Sequence, residues 1–209
     1  MYYIAKLLIN ILFIFFAVDS KANTYCTDFL NNNKTRVKQL IEHAQKNDTF
    51  WNHHVKYLAI ILPEFIAESE IDVENEKNIF KFLNTLNYKA VSEISIGPFQ
   101  MKPLFIYKIL CKSPININSI SLSKINDNID TFSSSNIQLV ILKKFILLNK
   151  KYMLKDNLNS RILKLSALYN GSIKNYSDPC IQNINFNKID CLNLPYSKMC
   201  LFLMKFYIL

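Results

Sequence analysis

Glycine occurs only twice in this chain of 209 residues, at Gly97 and Gly171. A sequence that avoids glycine almost everywhere keeps it where no other residue serves. The usual reasons are a positive φ angle or a backbone that must approach another group closely. Gly97 sits in Ser95-Ile96-Gly97-Pro98-Phe99-Gln100-Met101, and Gly171 closes Ala167-Leu168-Tyr169-Asn170-Gly171. At these two segments the backbone is expected to leave ordinary secondary structure.

Elsewhere the apolar residues recur mostly at helical spacing. Val37, Leu40, Ile41 and Ala44 predict a helix over residues 26–47, capped by Thr27 or Asp28. Residues 52–69 are the most apolar internal stretch. There Val55, Leu58, Ala59, Ile61, Leu62, Phe65 and Ile66 cover most of a helix circumference, which predicts burial. Pro63 inside this stretch either kinks the helix or starts a new one. The acidic run from Glu70 to Glu76 is expected at the surface, with Asp72 or Asn75 capping a helix through Phe80, Phe82, Leu83 and Leu86. Residues 87–98 predict a loop or short strands. Phe99 to Lys102, between Pro98 and Pro103, is expected to open a helix running to Ile109. Residues 112–136 are rich in Ser, Asn and Asp and predict a loop, with a short helix near 120–125. Residues 137–152 and 157–169 predict two further helices, the second stopped by Asn170-Gly171. Beyond Asp178 the periodicity fades until the apolar segment Met199 to Leu209, expected to dock as a closing helix or strand. The expected fold class is mainly α, one helical domain with a short irregular or β insert around 87–98.

At the N-terminus, Lys6 precedes an apolar run from Leu7 to Val18 broken only by Asn10, and Ser20-Lys21-Ala22 supplies small residues for cleavage after Ala22. This is the pattern of a signal peptide over residues 1–22. The run is shorter than the roughly 20 residues that span a bilayer comfortably; left uncut, it would associate the chain with a membrane. Residues 23–209 then form a single exported domain, periplasmic or extracellular, with enough chain for a real core. The motif-bearing core covers about residues 50–177, followed by an irregular C-terminal extension. The formal net charge of +9 suits an anionic polymer or a membrane surface. It also follows from the crowding of Lys, Asn and Ile throughout. No Lys/Arg cluster is dense enough to point to nucleic acid. Export permits disulfides, and the five cysteines are Cys26, Cys111, Cys180, Cys191 and Cys200. An odd count leaves at least one thiol free or paired between chains. A local bridge among Cys180, Cys191 and Cys200 stays open, and their spacing fits no usual zinc pattern. His43 and His53-His54 fit no ligand spacing and read as surface histidines. Neither metal nor cofactor is expected. Trp51 reads as core.

Among the acids, Glu64 stands out. Ile61, Leu62, Phe65 and Ile66 flank it, and no basic residue follows within five positions. Apolar surroundings raise the pKa of a carboxylic acid and fit it for proton donation near neutrality. The ordinary alternative is a glutamate on a helix surface. Glu68 lies one helical turn on, on the same face.

Three segments, in order, carry a family likeness. Pro63-Glu64-Phe65, Ser95-Ile96-Gly97-Pro98-Phe99-Gln100-Met101-Lys102-Pro103 and Leu168-Tyr169-Asn170-Gly171 resemble the lysozyme-like lytic transglycosylases over about residues 55–175. In that family a catalytic glutamate on a buried helix is followed by a Ser-x-Gly-x-x-Gln segment and an Ala-Tyr-Asn-x-Gly-like segment. The chain looks like a divergent bacterial branch with a Pro-Glu and a Phe-Gln-Met motif. It departs from better-known members, which carry Glu-Ser at the catalytic position; here Glu68-Ser69 offers that pair, and Leu168 stands where Ala is usual.

The resemblance implies an α+β lysozyme-like fold whose insert lies beside a cleft, with peptidoglycan glycan strands as the partner. It implies that Glu64, with Glu68 as the alternative, protonates the bond between N-acetylmuramic acid and N-acetylglucosamine. The same residue then acts as base on the 6-hydroxyl, giving a 1,6-anhydro product. Ser95, Gly97, Gln100, Met101, Tyr169 and Asn170 are the implied substrate-binding residues. Ser95 and Gln100 would orient the sugar or the glutamate, and Gly97 would let the backbone approach the glycan. Tyr169 and Asn170 would form the far wall. Hydrolysis needs a second carboxylate, for which Glu68 and Glu93 are candidates. Two other readings stand beside this one. One is a non-catalytic exported protein of the same fold that binds cell wall. The other is an exported structural or membrane-associated protein whose motifs match by chance.

Overall fold

Helix α1 (Ser20–Asn47) buries Leu30, Val37, Leu40 and Ala44 along one stripe and turns Lys34, Lys38 and Glu42 to water, the division that an apolar period near 3.6 dictates. The computed structural model describes residues 20–85, 95–103, 105, 106, 109, 128–170 and 195–209. α1 begins upstream of the expected cleavage point after Ala22, and the apolar run 7–18 lies outside the described residues.

The single helix expected over 52–69 is three pieces. α2 (Phe50–His54) passes into a 3-10 segment (Val55–Ile60), and α3 (Leu62–Ala67) restarts the chain. The cause is Pro63. In a continuous α-helix its missing N–H would strand the carbonyl of Ala59 and its ring would crowd the preceding turn. Within the first turn of α3 the missing donor costs nothing, because those N–H groups have no intrahelical partner anyway. Leu58, Ala59, Ile60, Ile61 and Leu62 are completely buried. Around them pack α1, α2, α3, α7 (Leu158–Tyr169) and α8 (Pro195–Tyr207), with α8 lying along α7. The break in the helix is therefore the centre of the core, and Trp51 is buried beside it.

α4 (Glu70–Thr85) starts earlier than expected. Its cap is Ser69, and neither Asp72 nor Asn75 plays that part. The Ser69 hydroxyl accepts from the Asp72 N–H at 3.1 Å, and the Asp72 carboxylate accepts from the Ser69 N–H at 3.3 Å. This is a capping box with aspartate in the third helical position. The acidic run is thus the opening of a helix, where negative charge meets the positive end of the dipole. Phe80 is buried and Phe82 is exposed.

Residues 95–101 form a turn closed by one antiparallel bridge between Ile96 and Met101. Among the described residues this bridge is the only β pairing, so the fold there is mainly helical. Phe99 to Met101 belong to the turn, and helical residues begin at Pro103. The stretch expected as loop over 112–136 contains the short helix α5 (Ile129–Phe132) and the start of α6 (Ser135–Asn149), while 120–125 lies outside the described residues. A 3-10 turn (Lys150–Tyr152) ends α6. The Asn157 side chain caps α7 by accepting from the Ser160 N–H at 2.9 Å. Gly171 and the rest of 171–194 lie outside the described residues. The apolar segment from Met199 is confirmed as a docked helix, part of α8.

Charged tethers hold the periphery. Asp48 accepts from the Phe50 N–H at 2.9 Å and pairs with Lys143 at 2.6 Å, joining the α1–α2 corner to α6. Asp130 lies between Lys77 and Lys81, joining α5 to α4. The hydrogen bond from Lys143 holds the Asp48 carboxyl below its ordinary range, and those from Lys81 and then Lys77 do the same for Asp130. A depressed folded-state pKa gives stability that is present above the unfolded value and lost as pH falls through the folded one. Urea midpoints should therefore drop between about pH 5 and about pH 2 as these carboxylates protonate. Asp48→Asn should lower the midpoint at neutral pH and shrink the acid-induced drop. An unchanged acid slope in the variant would show that Asp48 carries none of it.

Candidate functional site

The Gly97 turn is built from its backbone outward. Gly97 has φ +73° and Gln100 has φ +52°, conformations costly for residues with a Cβ. Two bonds of 3.0 Å join Ile96 and Met101, and the Gln100 N–H donates to the Gly97 carbonyl at 3.0 Å. The turn is locked by Gln138 of α6, whose side chain is completely buried. Its Nε2 donates to the carbonyls of Ile96 at 2.8 Å and Phe132 at 2.9 Å, and its Oε1 accepts from the Phe99 N–H at 3.0 Å. A Cβ at residue 97 would sit 2.5 Å from Gln138 Nε2 and 2.9 Å from the Ser133 carbonyl oxygen. Gly97 is thus required both for its φ and for close approach. The group that approaches is the Gln138 amide, in place of the glycan expected from the sequence.

A second set of bonds brings the three motifs together. The Tyr169 hydroxyl, at the end of α7, donates to the Phe99 carbonyl. The Phe65 and Phe99 rings meet edge-on at 5.9 Å between centroids. Tyr196 of α8 lies 6.4 Å from the Tyr169 ring, inclined by 25°. Its hydroxyl donates to the Ile60 carbonyl at 2.9 Å, and the Cys200 thiol reaches the same oxygen at 3.7 Å. Desolvation pushes both phenols well above the usual tyrosine range, and the charge of nearby Glu64 adds to it. Both hydroxyls therefore stay protonated at neutral pH and act as donors. Glu64, half-buried, lies beside this phenol pair. A carboxyl whose charge is felt by two protonated phenols has elements of a proton-transfer site; its link to the Gly97 turn runs through the neighbouring Phe65 ring on Phe99.

Several expectations change. Glu68 still stands one turn beyond Glu64, although the helix ends before it. α3 stops at Ala67, and Glu68 is its extended C-cap, with its N–H donating to the Glu64 carbonyl at 3.0 Å. Its side chain is 1% exposed, so Glu68 is the more deeply buried of the two acids. Gln100 reaches a different acid from the one expected: its Nε2 donates to Glu76 Oε2 at 2.5 Å and to the Gly97 carbonyl at 3.1 Å. Met101 is a core residue, 1% exposed, whose backbone closes the bridge. Ser95 is half-buried at the mouth of the turn. Asn170 is exposed and caps α7, its N–H donating to the Ser166 carbonyl at 3.0 Å. Glu93 lies outside the described residues. Cys200 is a free, buried thiol, which removes it from the local bridge considered for Cys180 and Cys191. Burial pushes its pKa far up against the opposing bond with Ser166, so it is no nucleophile. Among the histidines, His43 Nε2 bonds Asn136 Oδ1 at 2.6 Å and His54 Nδ1 bonds the Phe50 carbonyl at 3.0 Å.

Sequence reasoning missed Gln138, Tyr196 and Glu76. A signal existed for Gln138: a lone amide on the buried stripe of an apolar helix must find partners. Tyr196 lies in no motif and joins the site only through the docking of α8.

No protein family, curated protein or solved structure matches the chain.

Gln138→Leu leaves the Phe99 N–H and two carbonyls without their partner and should destabilise the protein by about 3 kcal/mol. Gly97→Ala should cost about 2 kcal/mol through φ strain and displacement of the Gln138 amide. Urea unfolding checks both. A Gln138→Leu variant within about 0.5 kcal/mol of wild type, the scatter of neutral surface changes, would mean that the amide does not hold the turn.

Proposed function

We propose that the protein is a peptidoglycan lytic transglycosylase with a divergent α+β lysozyme-like fold, exported after removal of residues 1–22. In this reading Glu64 donates a proton to the glycosidic oxygen between N-acetylmuramic acid and N-acetylglucosamine. Its carboxylate then accepts the proton of the 6-hydroxyl as that oxygen attacks the anomeric carbon, closing the 1,6-anhydro ring. One carboxylate serves both steps, whereas hydrolysis would call for a second at a defined separation. Tyr169 and Tyr196 present hydroxyls and ring faces beside the acid. The Gly97 turn and Ser95 form the neighbouring wall, and Asn170 contributes at the rim.

The observation that supports the reading is convergence. Glu64, the Gly97–Gln100 turn and Tyr169 come from segments distant in sequence, yet Tyr169 bonds Phe99 and feels the charge of Glu64. A non-catalytic reading stands beside it, because two of the residues expected to serve the enzyme are taken up by the fold: Gln100 by Glu76 and Met101 by the core. Digestion of purified sacculi, read by mass spectrometry, separates the two. Wild type should release anhydro-muropeptides, and Glu64→Gln should lower the release at least a hundredfold, the scale of a lost general acid. Reducing-end products would mean hydrolysis. Loss on Glu68→Gln with Glu64→Gln fully active would move the catalytic role to Glu68. No release by wild type would leave the binding reading.

A further inference from the structure

The far end of α6 carries a surface that the candidate site does not use. Leu147 and Leu148 are each 44% exposed, Tyr152 is 51% exposed and Leu154 is 71% exposed. Lysines interleave with them: Lys150, Lys151 and Lys155 are exposed and Lys144 is half-buried. The Lys151 ammonium stands 4.7 Å above the Tyr152 ring. No carboxylate occurs from residue 144 to residue 155. The next acid, Asp156, is turned inward onto Lys164 at 2.7 and 2.9 Å, so its charge does not offset the patch.

We infer that this tip, residues 147–155, is a docking surface for an anionic lipid bilayer. Its shape is a helix end, a 3-10 turn and a bend. Leucine and tyrosine side chains reach the headgroup–acyl boundary, while lysine stems lie along it and their ammonium groups meet lipid phosphates. Each such lysine adds attraction to an anionic leaflet, and the chain as a whole carries +9. A second copy of the chain is the poorer occupant, because two lysine-rimmed tips facing each other would repel. Among the described residues no helix is long and apolar enough to cross a membrane, so this contact lies on the surface. Gln138 and the Gly97 turn stand near the opposite end of α6. The helical rise puts them about 18 Å from Lys150, so docking at the tip leaves the turn clear of the lipid.

The full chain is mixed with vesicles of phosphatidylcholine alone or with about 30% phosphatidylglycerol, and partition is read by sedimentation. The apolar segment at residues 7–18 is present in every variant, so differences report the tip. Wild type should favour anionic vesicles, and raising salt from about 50 to about 300 mM should weaken binding, since the attraction is screened. Lys150→Glu/Lys151→Glu/Lys155→Glu should lower partition at least tenfold, and Tyr152→Ser/Leu154→Ser at least fivefold. A local readout comes from Tyr152→Trp, whose fluorescence brominated lipids should quench while buried Trp51 stays unquenched. Unchanged partition in the charge variant, or no quenching, would overturn the inference. A dimer that the same substitutions dissolve, without vesicle binding, would overturn it in favour of self-association. Sacculus digestion without membranes should be the same for wild type and the charge variant, so the lipid contact and the glycan chemistry fail independently.

Discussion

The Gln138 carboxamide is the contact on which the site depends. It is buried completely and makes bonds of 2.8, 2.9 and 3.0 Å to three backbone groups. In an apolar interior such bonds are strong, and leaving any of the groups unmade is costly. The amide thereby fixes a turn that has two positive φ angles and one short bridge. It joins that turn to α5 and α6 at once. Gly97 is the other half of the arrangement, because any side chain there would occupy the space of the amide.

A second theme is the use of tyrosine hydroxyls to hold helices to carbonyls. Tyr169 reaches Phe99, Tyr196 reaches Ile60 and Tyr207 reaches Leu30. Each phenol crosses a long stretch of sequence to reach its oxygen, and two of the three acceptors, Phe99 in the turn and Ile60 at the end of the 3-10 segment, lie where the backbone is irregular. Ile60 lies at the break that Pro63 imposes, so the irregularity forced by proline becomes the docking point for α8. Through that contact α8 brings Tyr196 and Cys200 to the side of Glu64. The candidate site and the central packing of the fold are therefore one structure.

Much of the helical organisation was legible. The period of Val37, Leu40 and Ala44, the run from Ile137 onward, and the segment 157–169 all lead to helices that exist. Pro63 announced a break, since its geometry acts locally. Gly97 announced a backbone that other residues cannot adopt. Legibility ended where partners come from afar. The capping box of Ser69 and Asp72 was misassigned because several acids near the helix start were equivalent on paper. Gln100 was expected to orient the sugar or the catalytic glutamate, whereas its amide is met by Glu76 on α4. Met101 was expected to face a glycan, but the bridge to Ile96 turns it into the core. The basic, apolar tip of α6 was hidden within a lysine-rich composition, and exposure alone distinguishes it.

By itself the sequence determined most of the long helices, the break that proline imposes, and that residue 97 must lack a side chain. Those are short-range matters of steric fit and hydrogen-bond geometry, encoded within a few residues. The tertiary structure decided which group fills the space over Gly97, which acid Gln100 meets, and which phenols stand beside Glu64. These are contacts between residues dozens of positions apart, and only the competition for burial and hydrogen-bond partners in a shared core selects among them.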